Sequence, residues 1–399
     1  MNGRVLQVIP SVSPVHGGPS AAIRLIERSL AGSGWAVETA TTDDDGPGRR
    51  LAARAREALG EGGVRRWYFD KSTERYKAAW SFLPWIRRNV SHYDVVHIHA
   101  LFSFLSVAAA MAARRAGVPY VVRPLGVLNR YGMTQRRPAL KRLSVKFVEG
   151  PLLRNAAAVH FTAEAERDEA AELGLELNPV VIPLAIEPGG HGDAGRLLAR
   201  HPGMKDHVRV LYLSRIDPKK NLEGLIDAMA LLREKGRPVS LMIAGGGVPA
   251  YVGELERRAA GRGLADRVHW LGTLDGDDKR DALAAADIFA LPSFSENFGI
   301  AAAEALADGI PCVVGRGVAL SALIERGGAG LAVETTPDSI ADAIDHYLLS
   351  PSAREDAGAA GRMLARDELS VDRMRERLVD LYESVARPGQ AAHHSRTRK

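Results

Sequence analysis

The stretch LPSFSENFGIAAAEALADGIPCVV, Leu291 to Val314, decides the fold. The run Asp287 to Leu291 reads as a strand that ends in the polar loop Ser293 to Gly299. An Ala-rich helix follows from about Gly299 to Ala307. Asp308 and Gly309 stop it, and Pro311 opens the next buried strand. Strand, loop, helix and strand in that order predict a parallel α/β sheet.

Two carboxylates frame the loop and helix, Glu296 and Glu304, with seven residues between them. Free N–H groups at a helix start attract anions, and Gly299 has no side chain to block a close approach. A phosphate fits there. Glu304, inside the helix, can accept hydrogen bonds from neighbouring hydroxyls such as those of a ribose, and Glu296 can reach the other side of the phosphates. An ordinary βα unit with one capping and one solvated glutamate would look the same from pattern alone.

SENFGIAAAEALADGIPCVV resembles the signature of the retaining glycosyltransferases of the GT-B architecture, family four, which share a Glu-(seven residues)-Glu motif. The resemblance implies that Glu296 contacts the donor hexose. It places the N–H groups of Asn297, Phe298, Gly299 and Ile300 on the diphosphate and Glu304 on the ribose. A second match is Ser214-Arg215-Ile216-Asp217-Pro218-Lys219-Lys220-Asn221, where the family sets an Arg and then a Lys against the diphosphate. Arg215 and Lys220 fill those positions, with Lys219 an alternative for the latter. Gly245, in the run Gly245-Gly246-Gly247, permits close approach to the nucleotide. A Gly17-Gly18 turn faces the donor phosphates from the opposite domain in that family.

The implied fold is α/β, GT-B, with two Rossmann-like domains facing a cleft. The implied reaction is hexose transfer with retention, from a UDP- or GDP-sugar to a glycan or polyprenol-linked acceptor, as in bacterial cell-surface polysaccharide synthesis. Arg215, Lys220 and the N–H groups near Gly299 would stabilise the departing diphosphate, so neither a metal nor a cofactor is expected. A nucleotide-sugar epimerase or hydrolase on the same fold, or a non-catalytic sugar-nucleotide or membrane-binding module, are the alternatives.

The first half matches less closely. Tyr93 to His99 reads as a strand with His97 and His99 on one face, since strand side chains alternate. His97 suits a core hydrogen bond, and His99, nearer the strand end, is a candidate for the cleft. After the strand Tyr120 to Val122 comes Arg123-Pro124-Leu125-Gly126. Many relatives carry His immediately before the Gly; here it is Leu125, which leaves no histidine to assist chemistry at that point. His99, Arg123 and Gly126 are the acceptor-side candidates.

Composition is that of a soluble globular chain of two or more domains: 399 residues, 46% hydrophobic, 25% charged. The single cysteine, Cys312, excludes a disulfide framework and suits a reducing cytosol. The apolar run Val5 to Ile9 is too short for a secretory signal, and Leu101 to Ala113 too short for a bilayer span. The net charge of +5 fits a phosphorylated substrate or an anionic surface. Residues 130–146 hold Arg130, Arg136, Arg137, Lys141, Arg142 and Lys146 among apolar residues. They read as a basic amphipathic helix, either a membrane-contacting patch at the inner face of the cytoplasmic membrane or a solvated face. No motif for nucleic acid accompanies the charge.

Asp43 to Arg66 reads as a loop with a weak helix, and Trp67 to Arg88 as an amphipathic helix. The expected domains are 1–186 and 208–369, joined by a linker over 187–207. A C-terminal helix over 370–387 packs back on the first domain, and 388–399 is a disordered basic tail.

Overall fold

The computed structural model describes residues 3–51, 57–59, 63–74, 76–128, 138–187, 190 and 192–386. The chain divides into two units, Met1–Ala185 with Val371–Lys399, and Ile186–Ser370. Each is built on a twisted sheet of apolar strands.

In the first unit the strands are β1 (Gly3–Val8), β2 (Trp35–Thr42), β3 (Glu57–Leu59), β4 (Arg65–Phe69), β5 (Val95–His99), β6 (Tyr120–Arg123), β7 (Ala158–Phe161) and β8 (Pro179–Val181). Their order is β3-β4-β2-β1-β5-β6-β7-β8, parallel except for the β3–β4 pair. Alternation sends side chains to two cores. Leu6, Val8, Val96 and Ile98 join Phe82, Ile86, Leu105 and Ala109 on one face. Val5, Val95 and Val121 join Ile26, Leu30, Leu378 and Tyr382 on the other. A sheet buried on both faces needs such near-continuous apolar strands.

The second unit repeats the plan with β9 (Val208–Leu213), β10 (Val239–Ala244), β11 (Val268–Gly272), β12 (Ile288–Leu291), β13 (Cys312–Gly315) and β14 (Gly330–Val333). All pairs are parallel, in the order β11-β10-β9-β12-β13-β14. Chain direction across the sheet reverses between β9 and β12, which pair through Leu211 and Phe289. In open α/β sheets, ligands bind beyond the carboxyl ends of the strands at such a reversal. The loops leaving β9 and β12 are the two that carry the sequence motifs.

Two sequence expectations are corrected. Trp67 to Arg88 is not one helix: Trp67 to Phe69 lie in β4 and the helix is only Phe82–Asn89. Aromatic residues favour a pleated surface, Phe69 packs edge-on to Phe82, and Tyr76 and Lys77 have φ of 61° and 45°, which no helix admits. The 187–207 segment carries the helix Ala194–Arg200, capped by Asp193 and tied to Asp281, whose Oδ1 accepts the Asp193 N–H and an Arg196 N–H at 2.7 Å each. The helix Pro351–Glu368 was not foreseen. Gly358 and Gly361 let it lie close against the Gly309 backbone and Leu306. Arg130, Arg136, Arg137 and the 388–399 tail lie outside the described residues.

Candidate functional site

In the second unit, β9 ends at Leu213 and the loop Ser214–Asn221 begins. The buried Tyr212 hydroxyl donates to the Arg215 carbonyl at 3.0 Å. The Ile216 N–H donates to Gly246 O at 2.8 Å. The Asp217 side chain accepts from the Lys219 N–H at 3.0 Å and caps the turn Pro218–Lys220. Asn221, at φ 57°, accepts from Gly224 N at 3.3 Å and starts the helix Leu222–Glu234. These bonds leave Arg215 exposed, Lys219 half-buried and Lys220 buried.

The glycine run after β10 serves this loop. A Cβ on Gly245 would overlap the Ser214 carbonyl oxygen, and one on Gly247 would lie 2.6 Å from Ile216 O. The missing side chain at Gly245 thus makes room for the chain's own Ser214 backbone.

The loop after β12 is fixed against both neighbours. The Phe294 N–H donates to Lys219 O at 2.9 Å, and the Glu296 N–H to Gly317 O at 2.9 Å. Glu296 O accepts from Ala319 N at 3.0 Å. Gly299 stands at φ 94° and caps the helix Ile300–Asp308, with Phe298 buried beneath. The first backbone bond of that helix runs from Ala303 N to Gly299 O at 3.1 Å. The amides before it have no intrahelical acceptor, and the helix dipole favours an anion there. Asn297 is exposed and Ile300 half-buried beside them.

Glu296 and Lys220 form an ion pair. Burial, and after it the charges of Lys219 and Arg215, push the Lys220 ammonium down to about 7, while the touching carboxylate opposes that drop. Glu304 Oε1 accepts from Lys279 Nζ at 2.7 Å. The structure thus gathers Arg215, Lys220, Glu296 and the Gly299 helix start at the carboxyl ends of β9 and β12. It adds Lys279, which the sequence reading missed.

In the first unit, Gly17 (φ 67°) and Gly18 are exposed at the start of the helix Gly18–Leu30. The turn before them is held by His16, whose Nε2 lies 2.7 Å from Asp44 Oδ2. Asp44 is buried, which alone would raise its carboxyl; Lys71 and Lys77 overcome that and hold it down at about 2.

His99 is buried rather than open at its strand end. Its face of the sheet is the one covered by the C-terminal helix Val371–Ala386, so alternation placed His97 and His99 together under Tyr382. Burial first, and neighbouring charge second, keep His97 and His99 far below the ordinary imidazole range and His160 at about 3. All three are neutral, which assigns their protons. His160 Nε2 donates to Ile182 O at 2.9 Å, and its Nδ1 accepts from His97 Nε2 at 3.3 Å. His97 Nδ1 accepts from the Tyr382 hydroxyl at 2.9 Å, whose oxygen accepts from Gln7 Nε2 at 3.0 Å. Gln7 Oε1 accepts from His99 Nε2 at 2.6 Å. His99 Nδ1 is left to face Arg123 Nη1 at 3.5 Å. Arg123 is buried too, its guanidinium lowered to about 10 by burial with Glu166 opposing. Glu166 accepts the Gly126 N–H at 2.7 Å, beside Leu125 at φ 61°.

Glu149 was also missed. A π-helical turn, Val145–Glu149, turns it inward. Its Oε1 accepts from Phe102 N at 3.1 Å and from the Tyr76 hydroxyl at 3.3 Å, two residues with positive φ. Burial pushes its carboxyl up to about 6 against those bonds. Among the described residues no group of three or more His, Cys, Asp or Glu could hold a metal ion, and no helix is long and apolar enough to cross a membrane.

Each of the two parallel-sheet units carries loops at its strand ends, and in the second those loops bring cations together with the free amides of a helix start. Comparison with known proteins gives the class. The profile of the glycosyl transferase 4-like domain matches residues 17–185, and that of glycosyl transferases group 1 matches residues 199–363. An alpha-D-kanosaminyltransferase of Streptomyces kanamyceticus is 30% identical over 69% of this chain and 73% of its own. A D-inositol 3-phosphate glycosyltransferase of Actinosynnema mirum is 30% identical over 74% and 73%. The fold matches the Anabaena Alr3699/HepE structure in complex with UDP, with a TM-score of 0.78 over 96% of this chain and 100% of that one, at 19% identity. The chain belongs to the group 1 glycosyltransferases of the GT-B fold.

Proposed function

We propose that this glycosyltransferase moves a hexose, with retention, from a UDP- or GDP-sugar to a glycan or polyprenol-linked acceptor. The observation that carries the reading is the meeting of Lys220, Glu296 and the Gly299 helix start at the point where strand order reverses. Relatives lend support. They include GDP-mannose-dependent mannosyltransferases acting on phosphatidylinositol monomannoside, and the similar Anabaena fold has been solved with UDP-glucose.

In this reading the diphosphate displaces Glu296 from Lys220. Glu296 then turns to the hexose hydroxyls, while Arg215, Lys220 and the amides from Asn297 to Ile300 meet the oxygens on which charge builds as the glycosidic bond breaks. Fixed cations and amides suit that task because they need no reorganisation when the charge appears. They supply the charge that a divalent metal would otherwise bring. The leaving phosphate takes the proton of the incoming acceptor hydroxyl on the same face of the sugar, a route that tolerates Leu125. The first unit takes the acceptor, with Arg123 and Gly126 on that side.

The enzyme works in the cytoplasm at the inner face of the membrane. Leu140, Leu143 and Phe147 are 57%, 55% and 63% exposed. They alternate with Lys141, Arg142 and Lys146 along the segment from Pro138 to Glu149, which suits shallow insertion into an anionic surface.

The test is turnover. UDP-glucose and GDP-mannose are supplied with membrane lipid extract, release of nucleoside diphosphate is followed, and the anomeric configuration of the product is read by NMR. Acceptor-dependent release with the donor's configuration kept supports the reading. Release that ignores acceptor indicates a hydrolase, and an inverted product removes the front-side mechanism.

A further inference from the structure

Glu304 does not stand alone. Lys279 Nζ donates to its Oε1 at 2.7 Å, and the two side chains are 32% and 24% exposed, so both keep open surface. They come from different helices, Gly276–Ala285 and Ile300–Asp308. Lys279 sits in the first turn of its helix, where its N–H reaches Asp275 O at 3.2 Å. Gly272 and Gly276, at φ 68° and 48°, turn the chain from the end of β11 into that helix. The Gly272 carbonyl accepts the Gly245 N–H at 2.7 Å, which ties this turn to the loops around Ser214.

The other charged side chains of the helix point elsewhere. Asp277 pairs with Arg280, Asp278 with Arg200, and Asp281 with Arg196. Lys279 alone among them meets Glu304. A half-buried pair that still meets solvent adds little to stability, so its use lies in what it does to the carboxylate. With Oε1 engaged by Lys279, the rotation of the carboxylate is restricted and Oε2 is the oxygen left to offer a ligand. An ammonium has three N–H groups, so two remain for a ribose oxygen beside it.

We propose that Lys279 is a positioning residue for the donor nucleotide. It aims the Glu304 carboxylate so that the ribose diol meets Oε2, and the ribose subsite is the Lys279–Glu304 pair rather than a lone glutamate. This rests on the reading of Glu304 as the ribose contact.

The experiment is calorimetric titration of the full chain with UDP, GDP and ADP and the 2′-deoxy form of whichever binds best. Wild type is compared with Lys279→Met, Lys279→Arg and Glu304→Ala. Lys279→Met should bind the preferred diphosphate about tenfold more weakly, as for loss of a hydrogen bond to a charged group. Its preference for ribose over 2′-deoxyribose should shrink with it, and Lys279→Arg should restore most of both. A merely structural pair would leave the ribose preference unchanged. Full affinity and preference in Lys279→Met, with both lost in Glu304→Ala, overturns the proposal and spares the ribose reading. Both retained in Glu304→Ala, or no binding of any of the three diphosphates by wild type, overturns the reading beneath it.

Discussion

The Lys219 carbonyl oxygen accepts the Phe294 N–H at 2.9 Å. That one bond joins the loop leaving β9 to the loop leaving β12, and it sets Lys220 against Glu296. It also turns Lys219 away from the role of its neighbour, for Lys219 is half-buried while Lys220 makes the ion pair.

Arg215→Ala and Lys220→Ala should therefore each lower kcat by about 10²–10³, the usual cost of removing one charge-stabilising partner in the transition state. Donor KM should change less. Lys219→Ala should have a much smaller effect. A crippled Lys219→Ala with a near-normal Lys220→Ala would mean that the loop is in use one residue away from the position assigned.

Glu149 gives a pH signature. Its folded carboxyl lies at about 6, above the ordinary 4.5. Its contribution to stability is full below the unfolded value and is lost as pH rises from about 4.5 through 6. At about 1.36 kcal/mol per unit, the difference across that window is ~2 kcal/mol. Glu149→Gln keeps the acceptor for Phe102 and Tyr76 and should remove this dependence. Urea unfolding of both proteins from pH 4 to 7.5 checks it; parallel curves for the two would show that Glu149 does not titrate in this window.

Tyr382→Phe keeps the ring beside Trp35, at 5.4 Å between centroids, and deletes only the hydroxyl. His97 Nδ1 loses its donor and Gln7 Nε2 its acceptor, both deep inside the first unit. Leaving buried polar groups unpaired costs about 1–3 kcal/mol each, so destabilisation of about 2–4 kcal/mol is expected in chemical denaturation at unchanged m-value. A change under about 0.5 kcal/mol, the scale of neutral surface substitutions, would contradict the one-way chain of bonds from Arg123 to Ile182.

Replacing Lys141, Arg142 and Lys146 with Gln should weaken binding to phosphatidylserine vesicles about a hundredfold. Each basic group near an anionic surface contributes about 1 kcal/mol. The loss should shrink as salt rises. Vesicle binding at the wild-type level in low salt would leave the segment as a solvated face.

Much of this was legible in the sequence where local chemistry decides. The Leu291–Val314 stretch carries its own stop signals, and Gly309 does cap its helix at φ 76°. The strand Gly330–Val333 and the helix Pro337–Leu349 likewise follow from short-range pattern. Long-range pairing was not legible. Gln7 and Tyr382 meet across 375 residues, and no local pattern announces it. Lys279 reaches Glu304 from another helix, and in the sequence it is one more charge on a polar face. Nor was it legible that Gly245 makes room for the Ser214 backbone, or Gly358 for the approach of two helices. Trp67 to Phe69 run directly into the amphipathic pattern of the helix that follows, which hid that adjacent aromatic residues favour a strand.

The most direct test is a crystal structure with the nucleoside diphosphate that the chain binds best. The diphosphate oxygens should lie within about 3 Å of Lys220 Nζ, a guanidinium nitrogen of Arg215 and the N–H groups at the Gly299 helix start, the reach of charge-assisted bonds. Lys220 should have parted from Glu296. A diphosphate bound elsewhere, with the Lys220–Glu296 pair intact, would contradict the account at its centre.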